Sequence, residues 1–293
     1  MKVNKTFFVL LLAVAMTFGP IVLTGEPSAK TDPKANALTV DEIVAKANHV
    51  AYYQGDDGRA RLKMTIVDAQ KRTRLREMTV LRRDAPKPGK QSETQPAGNT
   101  PEFDGEQKFY IYFHAPADVN KMSFLVHKHL DKDDDRWLYL PKIDLVKRIA
   151  GSEKRTSFVG SDFFYEDVSG RNTTDDKHEL ASSSDKYYVL KSTPKDPKKV
   201  EFASYKTWIH KKTFLVIKSE YYDNKGKPYR QYQARAVKRI QGNWTVTKAR
   251  MTDLRTGRYT DVEYFGVKYD IGLDDDIFTQ RYLRRPPREH LRD

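Results

Sequence analysis

The chain has 293 residues, a formal net charge of +13, 32% charged residues and no cysteine. The missing cysteines exclude disulfide staples, thiolate metal sites and thiol catalysis, so stability has to come from an apolar core, which a single large β domain of this length can supply. The basic excess points to an anionic partner, nucleic acid or an anionic membrane surface, unless the lysines and arginines only solvate strand faces.

The first residues, "MKVNKTFFVLLLAVAMTFGPIVL", place Lys2 and Lys5 before an apolar run from Phe7 to Phe18, broken at Gly19-Pro20. This is the pattern of a cleavable secretory signal, with an apolar core too short for a stable membrane span. Cleavage after Ala37 satisfies the small-x-small rule, "PSA" ending at Ala29 competes with it, and an uncleaved anchor is the alternative. The expected organisation is a signal peptide over 1–37 and one domain over 38–293. Export argues against nucleic acid and leaves lipid headgroups, acidic proteins or no specific partner.

Thr39-Val40-Asp41-Glu42 is a capping box, and Val40, Ile43, Val44, Ala47, Val50 and Ala51 form an apolar stripe, which predicts a helix ending near Gly55 that covers a sheet. Nearly everything after Gly58 reads as strands. "RLKMTIVDA", "RTRLREMTVLRR", "KFYIYFHAP", "DRWLYLP", "KYYVLKS", "YKTWIHK", "FLVIKSEYYD", "YRQYQARAVKRI", "WTVTKARMTDL" and "RYTDVEYFGVKYD" are rich in β-branched and aromatic residues. They are separated by turns such as "DKDDD", "PKDPK", "DNKGK", "QGN" and "RTG", which argues for an antiparallel barrel or sandwich. Residues 84–107, rich in Pro and Gly and poor in apolar side chains, predict a flexible surface insertion.

The residues offer little to catalysis or metal binding. The seven histidines are dispersed; His127 and His129 fall two apart on a predicted strand, and no third ligand is placed beside them. "DKDDD" has the spacing of a calcium loop, but Arg136 and Lys142 stand where that loop needs Gly and Glu. No G-x-S-x-G elbow and no phosphate loop occurs. Asp162 and Glu166 are conceivable as a carboxylate pair for a hydrolase, although carboxylates beside Gly and Ser usually cap turns. The reading is a non-enzyme with no cofactor and no metal.

The most unusual stretch is "RTSFVGSDFFYEDVSG", Arg155 to Gly170, where Phe158, Phe163, Phe164 and Tyr165 crowd into a segment that reads as a loop. Together with Trp137-Leu138-Tyr139-Leu140-Pro141, Lys147-Arg148-Ile149 and "LDDDIFTQRYLRR" near the C-terminus, it resembles the outer-membrane lipoprotein-sorting, LolA-like periplasmic proteins, in the branch associated with RND-type exporters. The resemblance spans roughly residues 40–285. Three departures stand out: the long insertion at 84–107, Asn120-Lys121 where a glycine is expected, and Val159 in place of a methionine.

The resemblance implies an incomplete antiparallel β-barrel (LolA/LolB-like), with an N-terminal covering helix and short helices over the open mouth. It implies a carrier that binds a lipid or acylated lipoprotein in an apolar cavity and works with an RND-type exporter of the inner membrane. The alternative on the same fold is a regulatory module that senses envelope lipoproteins. Phe158, Phe163, Phe164 and Tyr165 then form either a flap over the cavity or a plug within it. Trp137 and Tyr139 are core or cavity wall, and Arg148 and Arg155 are candidates to meet an anionic headgroup.

Overall fold

The computed structural model describes residues 38–85 and 105–291. The expected signal peptide and most of the expected insertion lie outside the described residues. The ends of that insertion are paired, with Asp84 opposite Gln107 in neighbouring strands.

Helix α1 (Val40–Tyr52) opens the described chain, and its capping box forms as expected: Glu42 Oε2 accepts from the Thr39 amide at 2.7 Å, and Thr39 Oγ1 accepts from the Glu42 amide at 3.2 Å. Strands β1 (Asp57–Val67), β2 (Thr73–Asp84), β3 (Gln107–Ala115), β4 (Ser123–Lys128), β5 (Asp135–Leu140) and β6 (Leu145–Ile149) run as one meander. After the short helix α2 (Tyr165–Ser169), a second meander follows: β7 (Asp176–Ser183), β8 (Tyr187–Pro194), β9 (Ser204–His210), β10 (Val216–Tyr222), β11 (Pro228–Ile240), β12 (Asn243–Asp253) and β13 (Tyr259–Tyr269). Helices α3 (Gln280–Arg284) and α4 (Arg288–Leu291) end it. Pairing of β1 with β13, from Gly58 opposite Tyr269 to Val67 opposite Tyr259, joins the meanders into one 13-stranded antiparallel sheet that is not closed into a barrel. Its two edges are β6 and β7, and residues 150–175 connect them.

The sheet is buried on both faces over β2 to β5. On the inner face, Leu62, Met64, Met78, Phe109, Ile111, Phe113, Phe124, Val126, Leu138 and Ile149 form the main core. On the outer face, Leu81, Tyr110 and Leu125 are covered by the C-terminal segment through Leu273, Ile277, Phe278, Leu283 and Leu291. Burial on both sides explains why "KFYIYF" and "SFLVHK" are nearly continuous apolar runs rather than clean alternations. Helix α1 packs against the other arm, with Ile43 and Ala47 against Leu190 and Ile209.

Candidate functional site

The connection between β6 and β7 is built by local chemistry before any tertiary contact. The Phe158 amide donates to the Phe163 carbonyl at 2.8 Å, and Ser157 bridges to Phe164, so the aromatic stretch is a tight hairpin. Ser161 Oγ donates to the Phe158 carbonyl at 2.7 Å and accepts from the Phe163 amide at 3.2 Å, which caps the turn. Val159 and Gly160 both take positive φ, 47° and 80°, at the tip; for the β-branched valine this is a strained conformation. Asp162 then anchors the hairpin: its amide donates to Thr260 Oγ1 at 3.0 Å and its carboxylate accepts from that hydroxyl at 2.8 Å. Burial raises the pKa of Asp162, while Thr260 and Arg258 oppose the shift. Gly170 closes the segment at φ 74°, where a Cβ would lie 2.6 Å from the Tyr52 ring, so only glycine fits.

The four loop aromatics have different fates. Phe158 is 1% exposed and sits between Phe113 and Phe124, with ring centroids 5.9 and 5.4 Å away. Tyr165 packs edge-on to Phe158 and against Phe124. These two rings fill the inner face. Phe163 packs on the same cluster and also lines a cavity. Phe164 points elsewhere, beneath the guanidinium groups of Arg155 and Arg230, 4.8 and 4.0 Å from its centroid.

Arg155 is not available to a headgroup. It donates to Glu166 at 2.9 Å and to Glu201 at 2.9 and 2.6 Å, and it stacks on Phe202 and Tyr221. Burial opposes its charge, but the Glu201 and Glu166 carboxylates outweigh burial and raise its pKa. Glu166, 3% exposed, also faces Lys154 and Arg171 at 3.6 and 3.4 Å. Asp167 binds Arg230 and accepts from the Phe164 amide at 2.6 Å. Asp162 and Glu166 are therefore structural charges that hold the loop, each locked to cations.

Inside the sheet lies a cavity of ≈ 490 Å³. Its walls are α1 on one side, Phe158, Phe163, Asp167 and Val168 of the connecting segment on another, and the inner faces of β1–β3 and β8–β13. Most of the lining is apolar, with Leu62, Met64, Ile111, Met251 and Val262 among the wall residues. The small polar residues Ser192, Thr207 and Ser219 leave the space open. Such a hollow can take up an apolar chain; on its wall His178 Nδ1 lies 2.8 Å from Ser192 Oγ, with the other ring nitrogen 2.9 Å from the Thr173 carbonyl. Among the described residues no group of three or more His, Asp or Glu is placed to hold a metal ion. His127 bonds the Phe278 carbonyl at 2.7 Å, and His129 sits between Glu106 and Asp135.

Trp137, Tyr139 and Arg148 lie apart from the cavity. Trp137 and Tyr139 belong to the outer-face cluster under the C-terminal segment, because the inner positions of β5 are Leu138 and Leu140. Arg148, in register with Trp137 on β6, pairs with Asp135 and leaves 70% of its side chain exposed. Of the eight residues expected around the ligand, the structure brings Phe158 and Phe163 to the cavity wall. The remaining lining, from α1, β1–β3 and the second meander, came with no motif for a ligand site; in the second meander its only trace in the sequence is Tyr, Thr and Ser at inward positions of otherwise ordinary strands.

A family model described as an uncharacterized protein matches residues 105–285. Among solved structures, the chain is similar to a DUF1329 family protein from Desulfovibrio piger, with 29% identity and a TM-score of 0.72 over 83% of this chain and 97% of that one. It is similar to an outer membrane lipoprotein-sorting protein domain from Vibrio parahaemolyticus, with 26% identity and a TM-score of 0.70 over 83% and 98% of the two chains. A LolA superfamily protein from Nitrosomonas europaea, 21% identical with a TM-score of 0.61 over 84% and 100%, shares the fold. No curated protein matches the chain. With a family model over more than half its length and this fold around its cavity, the chain belongs to the DUF1329 family and has the incomplete β-barrel of the LolA-like, lipoprotein-sorting proteins.

Proposed function

We propose that the protein is a periplasmic, non-enzymatic carrier that takes the acyl chain of a lipid or lipoprotein into its cavity and works with an RND-type exporter of the inner membrane. The observation that carries this reading is the ≈ 490 Å³ apolar hollow between α1, the aromatic segment and the inner face of the sheet. Its volume is within the range of ligand sites, roughly 300–1,000 Å³. Each methylene moved into it from water contributes about 0.8 kcal/mol, so a lined hollow suffices for capture without reactive groups. The lipoprotein-sorting description of the Vibrio neighbour and the basic balance of the chain support the same reading.

Native mass spectrometry of the protein purified from its own envelope fraction tests it, with lipid extraction of the same sample. A discrete added mass that extracts as lipid is the expected result. A bare protein that stays bare after incubation with envelope lipids overturns the carrier. Capture of an RND-type exporter from solubilised inner membrane by the tagged protein is expected, and its failure removes that partner.

A further inference from the structure

Six tyrosine rings line the cavity: Tyr52, Tyr205, Tyr221, Tyr232, Tyr264 and Tyr269. Two have their hydroxyls satisfied, Tyr205 donating to Asp176 at 2.8 Å and Tyr269 sharing a hydrogen bond with Thr245 at 2.8 Å. Tyr52, Tyr221, Tyr232 and Tyr264 are different: no hydrogen bond joins their hydroxyls to another described residue. Each is half-buried and lines the cavity. A phenol taken out of bulk water without a partner loses its hydrogen bonds uncompensated, and phenylalanine would line the cavity at no such cost. Four tyrosines that line one largely apolar hollow and whose hydroxyls have no described partner are donors that lack an acceptor.

We propose that Tyr52, Tyr221, Tyr232 and Tyr264 form the polar end of the ligand site and recognise an uncharged carbonyl oxygen, that of an ester or amide joined to the acyl chain. This rests on the carrier reading above and names the chemistry of its ligand. The charges around the cluster select against an anionic head. The cations on the cavity wall are Arg59, Arg82, Arg171 and Lys268, of which Arg82 is tied to the carbonyls of Gln54 and Gly55 at 2.7 and 2.6 Å. Arg171 is tied to Asp176 at 2.9 Å. Arg230, stacked on the Tyr221 ring, is neutralised by Asp167. The Asp167 carboxylate itself lies on the wall and adds to the upward push on the Tyr52 pKa, behind burial. Burial pushes Tyr264 up to about 12, so at neutral pH the phenol is a neutral donor. Neutral donors beside a fixed carboxylate suit a neutral acceptor; a free carboxylate or phosphate held by these phenols would meet Asp167, and the Arg230 charge beside Tyr221 is already paired with that carboxylate.

The test is displacement of the fluorescent probe N-phenyl-1-naphthylamine from the full-chain protein by three competitors of matched chain length: methyl laurate, dodecane and laurate. The expected result is a preference of about tenfold or more for methyl laurate over both others. In the Tyr221→Phe/Tyr232→Phe/Tyr264→Phe protein the ester-to-alkane ratio falls toward one. Tyr232→Phe alone, which keeps the ring and its packing, falls part of the way and serves if the triple variant melts early. Equal displacement by methyl laurate and dodecane, or a preference that survives the triple substitution, overturns the tyrosine site while leaving the carrier standing. Tighter binding of laurate overturns the neutral-acceptor assignment. A protein that takes up neither the probe nor any competitor overturns both readings together.

Discussion

From β4 to β6 the inner face of the sheet is filled: Phe124, Val126, Leu138 and Ile149 meet Phe158 and Tyr165 of the connecting segment, and little space remains. From β8 to β13 the same face carries Ser192, Thr207, Ser219 and Thr245 among larger side chains, and α1 spans the hollow they leave. The outer faces differ as well. The first arm is covered by the C-terminal segment, whereas the second shows solvent pairs such as Lys248 with Glu263. One arm thus serves as the rigid wall and the other as the container. The aromatic segment belongs to both: Phe158 and Tyr165 plug the first arm, and Phe163 stands at the boundary of the second.

Truncation separates the arms most sharply. Phe124→Ala, in the filled arm, should cost about 3–5 kcal/mol in denaturant unfolding, because the packed surroundings cannot collapse into the void. Met251→Ala, at the cavity wall, should cost only about 2 kcal/mol, since its side chain borders space already empty. Equal losses would break the comparison.

The next effect concerns ligand rather than stability. Phe163→Ser removes an aromatic wall worth about 1.5–3 kcal/mol to a buried chain and should weaken lipid retention roughly tenfold or more, read as bound mass. Trp137→Ala, on the opposite face, should lower the melting temperature and leave bound lipid as it was. Loss of lipid from the Trp137 variant would mean that the outer face also takes part.

Acid should loosen the hollow arm specifically. Burial, with help from Arg82 and Lys46, lowers the pKa of His49 on α1 from 6.5 to about 4. Between those values the unfolded chain binds a proton that the folded protein refuses. The contribution is therefore complete above pH 6.5 and is lost as pH falls toward 4. Stability measured across that window should decline, and His49→Gln should flatten the decline; an unchanged slope would show that His49 is not the group responsible.

The smallest effect lies in the filled arm. Lys121 holds φ 66° in the turn between β3 and β4, the position where the family pattern leads one to expect glycine. Lys121→Gly should stabilise by up to about 1 kcal/mol, seen as a rise in denaturation midpoint. A drop would mean that the lysine side chain compensates for its backbone.

Several elements were legible from local chemistry. The Thr39–Glu42 capping box, the apolar stripe of α1 and ten strand segments with their polar turns are short-range signals, and each forms where residue type and period place it. Strand β7 was not legible because, as an edge, it exposes almost every residue and carries no alternation. Short β6 was hidden by exposure at the other edge, and β4, buried on both faces, was legible only as the strand that carries His127. The aromatic segment was recognisable as special, but its division into plug and wall was not. Whether Phe158 or Phe164 turns inward depends on Thr260, Arg230 and Glu201, residues far away in sequence.

The sequence by itself determined an antiparallel, cysteine-free β protein with one covering helix and an aromatic connection, because caps, turns and side-chain periods act over a few residues. Only the tertiary structure decided which face of β5 is covered by the C-terminal segment and which strands surround a hollow. It also decided that four tyrosines keep their hydroxyls without partners inside it. Those outcomes depend on the pairing of β1 with β13, which brings together strands some two hundred residues apart and sets which side chains share an interior.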